Sequence, residues 1–249
     1  MLDGRTEDVS AYRSVAVIQA LCKEYSTDGL MILSCREDYD FNMEFFNPDG
    51  SGGMMCGNGG RCIVAFADAL GIKPSSGKEY RFLAGDGPHT GEILSRSGKI
   101  AQVRLLMKDV SVFYRAEGGW FLDTGTRHYV RFVPDTETID IEKEGKAVRW
   151  NPVFAPEGVN ANFVSAVPGK ELRVRTFEKG VEGETLACGT GITASAIAAC
   201  LEGVAPAEVA DSRVKYSIQA RIDRLSVDFI PDGDVYRDVY LTGPAEQLL

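Results

Sequence analysis

The chain has 249 residues, enough for one large domain or two of about 125, and either size can bury a core. Apolar residues make up 44% and charged residues 25%, an ordinary globular balance, and the net charge of −9 with no basic run argues against nucleic acid or an anionic membrane as partner. No window approaches 18 apolar residues and the opening MLDGRTEDVSAYRS has no signal-peptide core, so the chain reads as cytoplasmic, with no membrane partner.

Residues 12–25 (YRSVAVIQALCKEY) carry apolar positions at helical spacing, and 29–35 (GLMILSC) and 41–47 (FNMEFFN) read as strands. After a Gly-rich stretch, 61–70 (RCIVAFADAL) predicts a helix that stops at Gly71. Short strands follow at EYRFLA (79–84), TGEILSR (90–96), IAQVRLLM (100–107) and WFLDTG (120–125). The second half repeats the plan, with strands at YVRFV (129–133), NANFVSAVP (160–168) and LRVRTFE (172–178). A helix at ITASAIAACLEG (192–203) comes next, then strands at RVKYSIQ (213–219), RLSVDFI (224–230) and VYRDVYLTG (235–243). No linker is rich enough in Pro or Ser to mark a flexible tether.

The six cysteines, Cys22, Cys35, Cys56, Cys62, Cys188 and Cys200, follow no extracellular framework and are expected to be thiols in a reducing compartment. There is no CxxC, and His89 and His128 are the two histidines, so a bound metal is not expected. The informative pattern is a repeat. MMCGNGGRCIVAFADALG aligns without a gap to LACGTGITASAIAACLEG, sharing Cys-Gly-x-Gly and a glycine 15 residues after the cysteine. Cys56 and Cys188 stand 132 residues apart, about half the chain, which suggests two similar halves, each built around one helix.

A thiol at the start of a helix lies beside unsatisfied backbone N–H groups and the positive end of the helix dipole, a setting that favours thiolate. The adjoining glycines would let backbone N–H groups approach an anion such as a carboxylate. Brought face to face, two such halves would hold one small carboxylate between two thiols, the arrangement a racemase or epimerase needs to move a proton from one face of a carbon to the other. Competing readings of the same residues are buried core cysteines, a reversible redox pair, and phosphate loops. The phosphate loops fit poorly, because Gly-Arg-Cys and Ile-Thr stand where a Walker motif needs Lys-Ser or Lys-Thr. Cys22, Cys62 and Cys200 fall among apolar helical positions and read as core, and Cys35, after its strand, reads as structural.

FFNPDGSGGMMCGNGGRC (45–62) and FEKGVEGETLACGTG (177–191), with DTGTRHYV (123–130) and PEGVNANFV (156–164) between them, resemble the signatures of the diaminopimelate epimerase family over nearly the whole chain. The resemblance implies an α/β (α+β) fold of two pseudo-symmetric domains. Each would be a curled, mostly antiparallel sheet or barrel around a central helix, over 1–113 plus 237–249 and over 114–236, with the last strand returning to the first domain. It implies Cys56 and Cys188 as the catalytic bases, assisted by His128 and Glu178. The backbone of Gly57, Asn58, Gly189 and Thr190 would hold the α-carboxylate, and Asn47, Asn160 and Lys179 would contact the rest of the substrate.

The implied reaction is cofactor-independent interconversion of LL- and meso-diaminopimelate in lysine and peptidoglycan precursor synthesis. The expected partner is a small-molecule amino-acid substrate; a homodimer is compatible with this reading. The alternatives are a related two-base enzyme with another amino acid, or a non-catalytic carboxylate-binding relic. Three departures stand out. The family's opening strand and Gly-Asn-Asp-Phe signature are not seen before MLDGRTE, so a missing first strand and an exposed sheet edge are expected. Thr126 and Arg127 stand where the family has Asn or Ser and then Pro. Lys179 replaces an arginine, which keeps the charge and loses the planar fork.

Overall fold

Strand pairing in the computed structural model, which describes residues 1–53, 55–167 and 171–248, follows one plan twice. Two units divide the chain: unit 1 is Met1–Leu105 with Pro244–Leu249, and unit 2 is Leu106–Gly243. The breaks thus fall at 105/106 and 243/244, not at the expected 113/114 and 236/237. The cause is local: the Met107 N–H donates to the Val239 carbonyl at 2.8 Å, and Val110 and Tyr236 exchange backbone bonds within the unit 2 core.

Unit 1 contains β1 (Leu2–Asp3), α1 (Val15–Tyr25), β2 (Leu30–Ser34), β3 (Phe41–Phe46), α2 (Gly57–Ala69), β4 (Glu79–Ala84), β5 (Gly87–Ser97) and β6 (Ile100–Leu106). Its strands lie in the order β1-β2-β3-β4-β5-β6. The β1–β2 and β3–β4 pairs are parallel and the others antiparallel. Alternation does the sorting. Tyr80 and Phe82 of β4, and Ala101, Val103 and Leu105 of β6, turn to the buried side, as do Ile63, Val64 and Ala67 of α2.

Unit 2 contains β7 (Phe113–Ala116), β8 (Gly119–Asp123), β9 (Arg127–Phe132), α3 (Ile141–Arg149), β10 (Asn160–Val167), β11 (Glu171–Glu178), β12 (Gly183–Thr185), α4 (Gly189–Leu201), β13 (Glu208–Ala210), β14 (Arg213–Gln219), β15 (Arg224–Asp232) and most of β16 (Val235–Glu246), whose residues from Pro244 on belong to unit 1. Read from β16, the order is β16-β15-β14-β11-β10-β9-β8-β7. Here β14–β11 and β10–β9 are the parallel pairs. This matches β6-β5-β4-β3-β2-β1 strand for strand, with α2 and α4 in the same crossover and α1 and α3 in the other. Beyond the shared plan unit 2 adds β7 and β8 outside β9, whereas β1 is two residues long.

The two repeat helices match in detail. Each begins one residue after its cysteine, runs 13 residues and ends before a left-handed glycine, Gly71 at φ 77° and Gly203 at φ 70°. They differ in surroundings. α4 is buried on every side from Gly191 to Ala199 and touches β8, β9, β10, β11, β14 and β15, so the sheet curls around it. α2 packs on β2 and β5 and leaves Ala65, Phe66 and Asp68 partly open.

Helix α3 was not signalled by apolar periodicity, because most of IEKEGKAVR is charged. It is set by its ends and by one close contact. Asp140 caps it by accepting the Lys143 N–H at 3.1 Å, acidic residues fill the first turn, and basic residues fill the last. Gly145 lies directly on the Phe177 ring, with no room for a methyl group. In an open helix Gly→Ala stabilises by about 1 kcal/mol. Here Gly145→Ala is expected to destabilise by about 1–3 kcal/mol in urea titration, and a gain in stability would contradict the packing described.

Candidate active site

The Cys56 centre in unit 1 is a loop closed on itself and a helix start held from behind. Asp49 accepts the Ser51 N–H at 2.8 Å and its hydroxyl at 2.6 Å, and the Asn47 amide donates to Ser51 Oγ at 3.0 Å. Asn47 is thereby part of the turn that Gly50 closes at φ 86°. Further on, the Met55 N–H donates to Asp86 Oδ1 at 3.1 Å, and His89 Nε2 reaches the same oxygen at 3.1 Å. Burial pushes the Asp86 carboxyl up, but those two hydrogen bonds outweigh it and hold the group below its ordinary range.

Cys56 is the N-cap of α2, exposed, and its sulfur accepts the Gly59 N–H at 3.3 Å. The buried Arg61 guanidinium braces the turn, donating to the Gly57 carbonyl at 3.1 Å, to Asn58 Oδ1 at 3.0 Å and to the Pro244 carbonyl at 3.3 Å. Gly57 is buried and Asn58 exposed at the start of that helix.

The Cys188 centre in unit 2 is held by side chains. Cys188 is the N-cap of α4 and 8% exposed, and its sulfur lies 3.5 Å from Thr190 Oγ1. Thr190 Oγ1 is 3.0 Å from His128 Nε2 and 3.0 Å from Thr126 Oγ1, and Thr126 Oγ1 is 2.8 Å from the same nitrogen. Thr124 secures the backbone by donating to the Thr190 carbonyl at 3.1 Å. Behind His128, Asn162 Nδ2 lies 3.1 Å from Nδ1 and 3.0 Å from the Tyr129 carbonyl, and Asn162 Oδ1 accepts the Thr176 hydroxyl at 2.9 Å. Gly191 is small because Asn162 and His128 press on the first turn of α4. Gly60 is likewise closed in by Leu105 and Met55. At these two glycines packing leaves no room for a side chain; the glycine of unit 1 that corresponds to Gly191 is Gly59, where a methyl group would stand 3.3 Å from the Met43 methyl.

Of the other expected residues, Gly189 is buried and its carbonyl accepts the Thr193 hydroxyl at 3.0 Å. Glu178 ends β11 opposite Gly183, and Lys179 is exposed in the turn that follows. Asn160 anchors that turn, accepting the Lys179 N–H at 2.8 Å and donating to the Arg127 carbonyl at 3.2 Å. Unit 2 thus gathers Cys188, Thr190 and His128, and unit 1 gathers Cys56, Gly57 and Asn58. Sequence reasoning missed Asn162, Thr176 and Arg61. The signal for the first was present in Asn160-Ala161-Asn162, since alternate strand residues share a face and a wholly buried asparagine requires partners. Among the described residues no cluster of His, Cys, Asp and Glu is arranged to hold a metal ion, and no helix is long and apolar enough to cross a membrane.

Residues 120–245 match the family model described as diaminopimelate epimerase. The chain is 34% identical to the diaminopimelate epimerase of Flavobacterium psychrophilum over 99% of its own length and 92% of that protein. It is 38% identical to that of Chlorobaculum tepidum over 92% and 87% of the two chains. Among solved structures, a Bacillus anthracis phenazine biosynthesis protein of the PhzF family superposes with a TM-score of 0.71 at 12% identity, covering 99% of this chain and 91% of that one. A predicted epimerase from Pseudomonas aeruginosa gives 0.63 at 14% identity, covering 100% and 92%. These structural likenesses are of fold.

Burial holds the His128 imidazole neutral, with its pKa pulled down from 6.5 to about 3. The unfolded chain takes up this proton below pH 6.5 and the folded chain does not until about 3, so falling pH favours unfolding across that window. Above it the residue adds no pH dependence. In urea titrations from pH 7 to 4, the native protein should lose up to about 1.4 kcal/mol per pH unit more than His128→Gln; equal slopes would contradict a buried neutral imidazole.

Proposed function

Given that this chain belongs to the diaminopimelate epimerase family, we propose that it interconverts LL- and meso-diaminopimelate with Cys56 and Cys188 as its two bases. The observation that carries this reading is the matched start of α2 and α4, where each pseudo-symmetric unit sets a cysteine as the N-cap of its 13-residue helix. An amino-acid α-proton is a very weak acid. Its removal needs a base on one face, a proton donor on the other, and stabilisation of the charge that moves onto the carboxylate.

In this reading one cysteine, as thiolate, takes the α-proton, and the other, as thiol, delivers a proton to the opposite face. The C–H electron pair moves toward the carboxylate, where first-turn N–H groups of Gly57 and Asn58 and of Gly189 and Thr190 would receive the charge. It returns to carbon with the second proton. After one turnover the two sulfurs have exchanged protonation states, so the reverse reaction uses the same groups in the other order. His128, neutral and buried, assists as a hydrogen-bonding group and not as a charged one. The thiols carry the proton transfer themselves, and no cofactor is invoked. Asn47, Asn160, Glu178 and Lys179 would serve the remainder of the substrate or its amino group. Six free cysteines support a reducing, cytoplasmic setting.

Relatives described as diaminopimelate epimerases over most of both chains favour this substrate over another amino acid. Cys56→Ala and Cys188→Ala are each expected to lower kcat by about 10²–10⁴-fold with KM little changed, as loss of one acid-base group does. Turnover of either variant at the parent rate, with the fold intact by circular dichroism, would overturn the assignment.

A further inference from the structure

We propose that Asn162 is a positioning residue for Cys188, giving a chain of hydrogen bonds through His128 one direction so that the Thr190 hydroxyl proton points at the sulfur. The argument runs by elimination from donors and acceptors. The Tyr129 carbonyl can only accept, so the Asn162 atom 3.0 Å from it is the amide nitrogen. That nitrogen's second proton then faces His128 Nδ1 at 3.1 Å, and the Thr176 hydroxyl on Asn162 Oδ1 at 2.9 Å agrees with the same orientation. Nδ1 must therefore accept. A buried neutral imidazole with an accepting Nδ1 carries its proton on Nε2.

Nε2–H has two oxygens in reach, Thr126 Oγ1 at 2.8 Å and Thr190 Oγ1 at 3.0 Å, and cannot accept from either. The nearer one takes the proton. Thr126 then donates its own hydroxyl to Thr190 Oγ1 at 3.0 Å, and the Thr190 proton is left for Cys188 Sγ at 3.5 Å. If Nε2–H went straight to Thr190, that hydroxyl would still be an acceptor on the histidine side and a donor on the sulfur side. A hydroxyl donor favours thiolate over thiol. His128 consequently cannot act as the base that deprotonates Cys188, because its Nε2 is already protonated. Of the groups joined by these bonds, His128 is the titratable one besides the thiol; Thr126, Thr190, Asn162 and Thr176 carry no charge.

The proposal rests on Cys188 being a base and says how that base is maintained. It is tested without substrate, by following iodoacetamide alkylation of Cys188 against pH in Cys56→Ser protein, with peptide mass spectrometry reading that site. Thr190→Val, which removes the hydroxyl aimed at the sulfur, is expected to move the midpoint up by about one pH unit, and Thr190→Ser, which restores it, to return the midpoint to the parent position. Thr126→Val leaves His128 Nε2–H to reach Thr190 directly and is expected to move it less. Nitrogen-15 spectra of histidine-labelled parent protein should show His128 with a proton on Nε2 and none on Nδ1. In Asn162→Asp, whose carboxylate can only accept, the proton should move to Nδ1.

An unmoved midpoint in folded Thr190→Val, or a protonated Nδ1 in the parent, would overturn the proposal. Should Thr190→Val not fold, the parent spectrum decides. α-Proton exchange by the parent enzyme is a separate readout: its absence beside an intact alkylation shift would remove the reaction and leave the hydrogen-bond chain standing.

Discussion

In each unit a cysteine is the N-cap of a helix, and neighbouring side chains press on the first turn behind it, which creates a demand for small residues there. The helix leaves backbone N–H groups unsatisfied at its start, and the sulfur stands among them. In the sequence the demand takes the form Cys-Gly-x-Gly. In the structure Met43 lies against Gly59, and Asn162 and His128 lie against Gly191. Strand order, crossover and helix length repeat in the two units, and each unit presents a cysteine at the same place.

The units meet the demand by different chemistry. Cys56 is open, and its helix lends it a backbone donor, the Gly59 N–H. Cys188 is nearly buried and relies on side-chain hydroxyls and a neutral imidazole. Burying polar groups is tolerable only when each finds a partner, and His128, Asn162 and Thr176 form a set in which donors and acceptors match. The surrounding architecture makes room for this. α4 carries Ala194, Ala196, Ala198 and Ala199 where strands close around it, whereas α2 keeps Phe66 and Asp68 on a partly open side.

Much of this was legible in the sequence. The 132-residue repeat foretold two units of one plan, and period-two alternation in EYRFLA and IAQVRLLM foretold strands, because burial on one face dictates both patterns. Pro168, at the end of one expected strand, lies outside the described residues. Helix α3 escaped because most of it is charged, and the fit that seats its buried Gly145 is to the Phe177 ring, 32 residues away. Strands β7, β12 and β13 are three or four residues long, too short for a period to emerge. At the site, the thiols and His128 were reachable from their motifs. The bearing of Asn162 on His128 was not, because a hydrogen bond across 34 residues is a fact of strand pairing between β9 and β10.

The central claim is that two thiols share the proton transfer, and the most direct measurement follows the label in the first turnovers in heavy water. Starting from LL-diaminopimelate, the two-base account predicts that the earliest product carries solvent deuterium at the inverted α-carbon while unreacted substrate keeps its proton. The donor thiol has equilibrated with solvent, and the abstracted proton resides on the other sulfur. Product that retains the substrate's own proton at that carbon would mean a single base carrying it across, and would contradict the account.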